Sequence, residues 1–229
     1  MEEREEPRII MRTVYEFQHI ITTILEFQII FMGFEFQKTL ASIADELSHL
    51  NAQIKTGNKE IVISNSVPSI RSSATLYTET CDVVERFNAC NGLLVFSFII
   101  LYTLQLVFTA DSLANTLQYN KLNSRLAVNC CLDVMWLLFH NIRTIIFIQP
   151  WHRISKEVCQ IKIQLGKLLQ GLAAYEKEIL WESKVFYTEV MINNAELKPL
   201  GLFTVSRYLF VQIMSVVITY TLVVVQLRN

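Results

Sequence analysis

The strongest constraint on the fold is an apolar run near the C-terminus, from Leu202 to Leu227. Its 26 residues include one charged side chain, Arg207, close to the start. A helix of about 20 apolar residues crosses the roughly 30 Å hydrocarbon core of a bilayer, and a longer helix crosses it with some tilt. The run therefore predicts a last membrane helix within residues 201–229.

The composition extends this prediction to the whole chain. Only 18% of the 229 residues are charged, the mean hydropathy is +0.35, and Gly (6) and Pro (4) are scarce. Few turn-forming residues argue against a β protein, and high hydropathy favours membrane helices. A net charge of -1 gives no electrostatic basis for binding nucleic acid. We therefore expect an all-α membrane protein with no nucleic-acid partner.

Three further stretches are candidate membrane helices. Residues 92–110 lack charge and give the clearest span, whereas 13–36 and 126–149 contain ionisable side chains. Such side chains inside a span are expected to face protein or water. Together with 201–229 this predicts about four transmembrane helices, preceded by a polar segment over 1–12 and with an outer link over 111–125.

The two long segments between these spans, 37–91 and 150–200, carry heptad patterns. Apolar residues alternate at intervals of four and three, which predicts helices that pack on other helices outside the bilayer. The seams are Phe36, Leu40, Ile43, Leu47, Leu50 and Ile54, and then Ile154, Val158, Ile161, Leu165, Leu168, Leu172, Tyr175 and Ile179. Pro68 and Gly57 predict a flexible loop over Thr56–Ser73, and Pro150 predicts a break or kink.

The two heptad segments lie on alternate loops, so four spans place them on the same side of the membrane. These loops contain more Lys and Arg than the other connections do, which favours a cytoplasmic location. We therefore expect two membrane helices to be extended by long cytoplasmic heptad helices.

Polar residues recur at a distinctive spacing in the last span. Thr219 and Gln226 are seven residues apart, nearly two turns, so they share one helix face, and Tyr220 lies on a neighbouring stripe. Spacing alone leaves two interpretations open. The polar groups join helices by hydrogen bonds, or they line a water-filled pore.

This spacing resembles the C-terminal signature of insect gustatory receptors, TYhhhhhQF, where h is apolar. Here the residues are Thr219-Tyr220, five further residues, and Gln226-Leu227. Leu227 stands where the family has Phe, and Thr221 occupies the first apolar position. Odorant receptors share a weaker form of the signature, so they remain an alternative.

Upstream, Gly201-Leu202-Phe203 is similar to the Gly-h-Phe that opens the family's last helix. Gly201, Phe203 and Tyr220 are then expected to belong to a helix-packing signature. The order of elements resembles the second half of such a receptor, from the fourth span to the seventh, which implies a partial or truncated chain.

The resemblance implies a tetrameric ligand-gated cation channel, made of identical or different receptor subunits, whose last helices line a central pore. Carried over by position, Thr219, Val223, Gln226 and Leu227 are expected to line the pore, with Tyr220 packed behind them. The implied setting is multi-pass in the plasma membrane, in contact with lipid, with the long loops cytoplasmic and the C-terminus outside.

The same resemblance implies a pocket for a small-molecule tastant in the outward half of each subunit. Aromatic and polar side chains suit a sugar or small amphiphile. The expected ligand-binding residues are Tyr102, Gln105, Asn129, Asp133 and Trp136.

Two other classes of function compete with a chemoreceptor channel. One is a non-conducting four-helix interaction protein held together by the heptad seams, and the other is a transporter with Asp133 and His140 as a proton relay. An enzyme is not expected, because the chain lacks P-loop, GxGxxG, HExxH and GxSxG motifs. No cofactor or metal site is expected either, since the histidines show no ligand spacing with Cys or carboxylates.

Overall fold

The computed structural model describes residues 6–56, 59–118, 124–172 and 177–228. Within these ranges the regular structure is helical, without strands. The helices are α1 (Glu6–Thr56), α2 (Lys59–Gln118), α3 (Ser124–Leu172), α4 (Lys177–Ile192) and α5 (Arg207–Arg228), with a 3-10 turn at Pro199–Gly201.

Four of these helices, α1, α2, α3 and α5, are long and apolar enough to cross a membrane. Many of their large apolar side chains are exposed, among them Phe27 and Phe31 on α1, Phe108 on α2, Ile142 on α3 and Val211 on α5. Apolar surface of this kind is typical of helices that contact lipid tails. The prediction of an all-α membrane protein with about four spans is confirmed.

Helices α2 and α3 run without interruption through positions where the sequence predicted breaks. The prediction of a loop over Thr56–Ser73 is wrong from Lys59 onward, because α2 begins there and contains Pro68. The predicted link over 111–125 is helical as far as Gln118. Proline removes one backbone hydrogen bond from a helix. Burial of the neighbouring Ile70 offsets that loss by tertiary packing.

A break at Pro150 is likewise absent, since α3 continues through it to Leu172. Pro150 lies where α3 passes close to Gly33 of α1. A Cβ added to Gly33 would come within 3.0 Å of the Cβ of Pro150 and 3.1 Å of the Trp151 ring. Glycine at position 33 therefore allows the two helices to meet, and the proline ring becomes part of their contact.

The heptad seams are buried where the structure describes them. Each named seam residue from Phe36 to Ile54, and from Ile154 to Leu172, is at most 8% exposed. The two seams belong to α1 and α3, the pair of helices in most extensive contact. Ile179 is also buried but lies on the separate helix α4, and Tyr175 lies outside the described residues. The predicted helix-on-helix packing is confirmed and occurs within this chain.

The seams and the membrane segments form two successive regions of one helical assembly. In the seam region, here called the bundle, the Asn51 side chain of α1 donates to the backbone carbonyl of Gln164 of α3 at 2.9 Å. Between α2 and α4, the Thr78 hydroxyl donates to the Glu189 carboxylate at 2.8 Å. Residues 37–56, 59–91, 150–172 and 177–192 thus share one end of the molecule, as their alternation along the chain requires.

The last helix is shorter than the predicted segment 201–229, because it begins at Arg207. Residues 193–206 before it are irregular apart from the 3-10 turn. Leu200 (φ 54°) and Gly201 (φ 70°) are both left-handed, and two such residues in succession prevent a continuous helix here. Beyond this turn, Leu209, Ile213 and Val217 form the buried stripe of α5.

Candidate ligand pocket and the exposed face of the last helix

A cavity of about 500 Å³ opens between α1, α2 and α3, at the end of the membrane segments away from the bundle. We call it the polar pocket. Its lining combines aromatic rings with a carboxylate, a carboxamide, hydroxyls and imidazoles. The lining residues are His19, Gln105, Phe108, Thr109, Ser112, Asp133, Trp136 and His140.

Asp133 is fixed in the polar pocket by two hydroxyl groups of α2. Ser112 donates to one carboxylate oxygen at 3.1 Å, and Thr116 donates to the other at 3.0 Å. These donors are four residues apart, one turn of the helix, so they meet the same partner. Each carboxylate oxygen retains a further lone pair. Asp133 can therefore accept hydrogen bonds from a ligand while the protein orients it.

Two polar atoms of lining residues are buried without a hydrogen-bond partner in the described part of the chain. They are Oε1 of Gln105 and Nδ1 of His140. An unsatisfied buried polar group costs about 1–3 kcal/mol, which a bound water or ligand group removes. The ring of Trp136 stacks on that of His140 with centroids 5.6 Å apart. The polar pocket thus offers acceptors beside an aromatic face.

The structure brings together three of the five residues predicted to bind a ligand, namely Gln105, Asp133 and Trp136. Tyr102 is instead buried in an aromatic cluster with Phe98 and Phe147, outside the lining.

Asn129, the fifth predicted residue, is exposed on α3, one turn before Asp133, and is not among the lining residues. Asp133 and His140, the residues of the proton-relay hypothesis, line the same pocket, but no hydrogen bond joins their side chains.

Sequence reasoning missed Phe108, Thr109 and Ser112 in the lining. Ser112 was assigned to a link, and only the continuation of α2 to Gln118 carries it alongside α3. His19 had a sequence signal, because it is a polar residue within an otherwise apolar stretch of α1. Such residues in a span are expected to face the interior.

A second cavity of about 310 Å³ lies beside the polar pocket, between α1 and α3. Glu26 and Arg143 form an ion pair at its wall, with side chains only 6% and 10% exposed. Nε of Arg143 donates to Glu26 at 2.8 Å, and Nη2 donates to the same oxygen. The Arg143 guanidinium also lies 5.3 Å from the centre of the Tyr102 ring. His19 lines both cavities, which makes them neighbours.

The predicted pore residues lie on the exposed surface of α5. Thr219, Val223, Gln226 and Leu227 are all exposed, in contrast to the buried stripe of the same helix. Tyr220 is 45% exposed. Thr219 and Gln226 share a face, as their spacing predicted, and this face is directed away from the rest of the chain.

The other two residues of the predicted packing signature precede α5. Gly201 is exposed and left-handed, and Phe203 is half-buried with its ring 6.3 Å from that of Phe96. Both therefore lie before the last helix, Gly201 in the 3-10 turn and Phe203 in the irregular part that follows it.

No group of three or more His, Cys, Asp or Glu side chains is placed to hold a metal ion in the described ranges. The lining of the polar pocket offers hydrogen-bonding groups, one carboxylate, two imidazoles and aromatic contact.

Comparison with known sequences bears on these sites. The family model described as 7tm chemosensory receptor matches residues 3–228. The gustatory receptor for sugar taste 43a of Drosophila melanogaster is 25% identical over 193 residues, covering 80% of this chain. The match covers 42% of that relative, so the chain spans less than half the length of the curated relative.

Proposed function

We propose that this chain, which belongs to the 7tm chemosensory receptor family, is a subunit of a ligand-gated cation channel whose pore is lined by α5. It is a chemoreceptor, and its four long apolar helices are typical of a multi-pass membrane protein. The proposal adds the mode of signalling: a small molecule enters the polar pocket and cations pass along the last helix.

The observation that supports this proposal best is the two-sided character of α5. One side, Leu209 to Val217, is buried against the chain, while Thr219 and Gln226 remain exposed on another side of a mostly apolar helix. Exposure of a carboxamide to lipid is unfavourable, whereas its oxygen suits a hydrated cation. A pore formed by several subunits gives Gln226 an aqueous environment.

We propose assembly into a homo- or hetero-tetramer, because a single α5 cannot enclose a pore and several copies are needed. The heptad seams are largely buried inside the chain, where α1 packs against α3. This gives less support to the alternative of a non-conducting protein that uses the seams to bind partners.

We place the bundle in the cytoplasm and the C-terminus outside the plasma membrane.

We further propose that the ligand is a small tastant rich in hydroxyl groups. Asp133 and the unpaired oxygen of Gln105 accept hydrogen bonds, and Trp136 offers an aromatic face. Sugars supply many hydroxyl donors and an apolar face for stacking. The Drosophila relative is named as a receptor for sugar taste, which agrees with this chemistry.

The proposal is tested by Gln226→Ala in cells that express the chain, with whole-cell currents recorded under bi-ionic conditions. We expect the reversal potential to shift, because the substitution removes an oxygen from the ion path. Gln53→Ala is the matched control: Gln53 is an exposed Gln of α1 in the bundle, outside the membrane segments, so its loss is expected to leave permeation unchanged. Absence of current from the wild-type chain, or an unaltered reversal potential in Gln226→Ala, contradicts the pore assignment.

A further inference from the structure

Residues 193–206, which join α4 to α5 and are here called the connector, are bound by one side chain of α2. The Asn88 carboxamide donates from Nδ2 to the backbone carbonyl of Glu196 at 2.9 Å. Its Oδ1 accepts from the backbone N–H of Lys198 at 3.0 Å. Asn88 thus uses both halves of its amide to pair with the main chain, as a neighbouring strand would.

Two other residues on the same side of α2 also contact the connector. The Tyr77 hydroxyl donates to the backbone carbonyl of Asn193 at 2.6 Å. A Cβ added to Gly92 would lie 3.1 Å from the backbone nitrogen of Leu200, so glycine permits a close approach there. Positions 77, 88 and 92 are separated by eleven and four residues, which places them along one face of the helix. The connector therefore lies along α2 rather than crossing it at one point.

The connector is itself folded, so a contact at one point fixes the whole segment. Ala195, Leu197 and Val205 are nearly inaccessible to solvent. The Val205 N–H donates to the Leu197 carbonyl at 2.9 Å, which closes the segment into a loop just before α5. A connecting segment without such contacts would leave the start of α5 free to move. This folded loop instead holds the start of α5 in place relative to α2.

We propose that Asn88 is a positioning residue for the last helix: by clamping the connector to α2, it sets where α5 begins relative to α1–α3. The consequence for conduction rests on the proposed function, because it requires α5 to line the pore. Movement of α2 beside the polar pocket is then transferred to α5 through the connector. Asn88 lies on α2, outside the proposed pore lining, so we expect it to affect the fraction of open channels and not their selectivity.

The clamp is tested first by hydrogen exchange on the full chain in lipid nanodiscs. Asn88→Ala removes the acceptor of the Lys198 N–H, so we expect that amide to exchange roughly two- to tenfold faster. Asn88→Asp keeps an acceptor, so protection at Lys198 is retained. Asn91→Ala, on the same helix, is the control with unchanged exchange. Unaltered exchange in Asn88→Ala, or an equal increase in Asn91→Ala, overturns the clamp.

The role in conduction is tested by currents normalised to surface expression, with D-glucose and sucrose as applied probes. Asn88→Ala is expected to change the evoked or resting current at least twofold and to leave the reversal potential unchanged, the reverse of Gln226→Ala. A normalised current equal to wild type, or a shifted reversal potential, overturns the positioning role. If the wild-type chain passes no current, the proposed function fails and so does the role in conduction. The hydrogen-exchange result then decides the clamp separately.

Discussion

Removal of one partner from the buried ion pair Glu26–Arg143 is expected to destabilise the chain strongly. Glu26→Gln keeps the size and shape of the side chain but leaves the Arg143 guanidinium, 10% exposed, without a countercharge. Breaking a buried pair in this way costs about 3–5 kcal/mol. The Tyr102 ring still faces the guanidinium and contributes about 0.5–2 kcal/mol, so we expect the lower end, about 3 kcal/mol.

The assay is a double-mutant cycle on the free energy of unfolding, measured by denaturation of the full chain in detergent micelles. Arg143→Met is the second single variant, and Glu26→Gln with Arg143→Met is the double variant. Because the double variant leaves no unpaired charge, its loss should be at least about 2 kcal/mol smaller than the sum of the single losses. Glu35→Gln is the control, since Glu35 is exposed on the same helix and should change stability by less than about 0.5 kcal/mol.

A loss below about 1 kcal/mol for Glu26→Gln would refute this reasoning. So would strictly additive single effects in the cycle, because additivity means that the two side chains do not interact. Either result would show that the pair is solvated by water or lipid headgroups and does not join α1 to α3.

Three other outcomes follow from contacts already described. Gly33→Ala places a methyl group against the side-chain rings of Pro150 and Trp151 on α3, so we expect a loss of about 1–3 kcal/mol in the same unfolding assay, and a neutral effect would argue against the close approach. Leu165→Ala in the seam should cost about 2–5 kcal/mol, whereas the exposed Ile163→Ala should cost far less; equal losses would contradict the seam. Asp133→Asn should weaken sugar-evoked responses roughly ten- to hundredfold, with Asn129→Ala unchanged, and a normal dose–response curve would remove Asp133 from the site.

Sequence reasoning predicted the helical elements well where apolar periodicity was strict. Leu40 and Leu47, or Leu165 and Leu172, recur at heptad spacing, and burial of such stripes follows from geometry alone. It was wrong about the loop containing Pro68, because local breaker signals do not register the packing that carries a helix through a proline.

The candidate pocket was predicted in part for a related reason. Gln105 and Asp133 are polar residues in apolar helices, and such groups turn inward. Tyr102 and Asn129 satisfied the same rule but lie elsewhere, because the relative rotation of two helices cannot be read from either sequence alone. The exposed residues Thr219, Val223, Gln226 and Leu227 of α5 stay a predicted pore lining, since such a pore would be completed by other copies of the chain.

The unbroken course of the three long helices has a mechanical consequence. Helices α1, α2 and α3 contain 51, 60 and 49 residues, so each is a stiff rod roughly 75–90 Å long. A tilt of about 5° around the close contact at Gly33 displaces a point 35 Å away by about 3 Å, given the rise of a helix per residue. Such rods act as levers, so a shift of about 2 Å at the polar pocket, roughly 20 Å from this contact, becomes a sideways step of about 3 Å in the bundle.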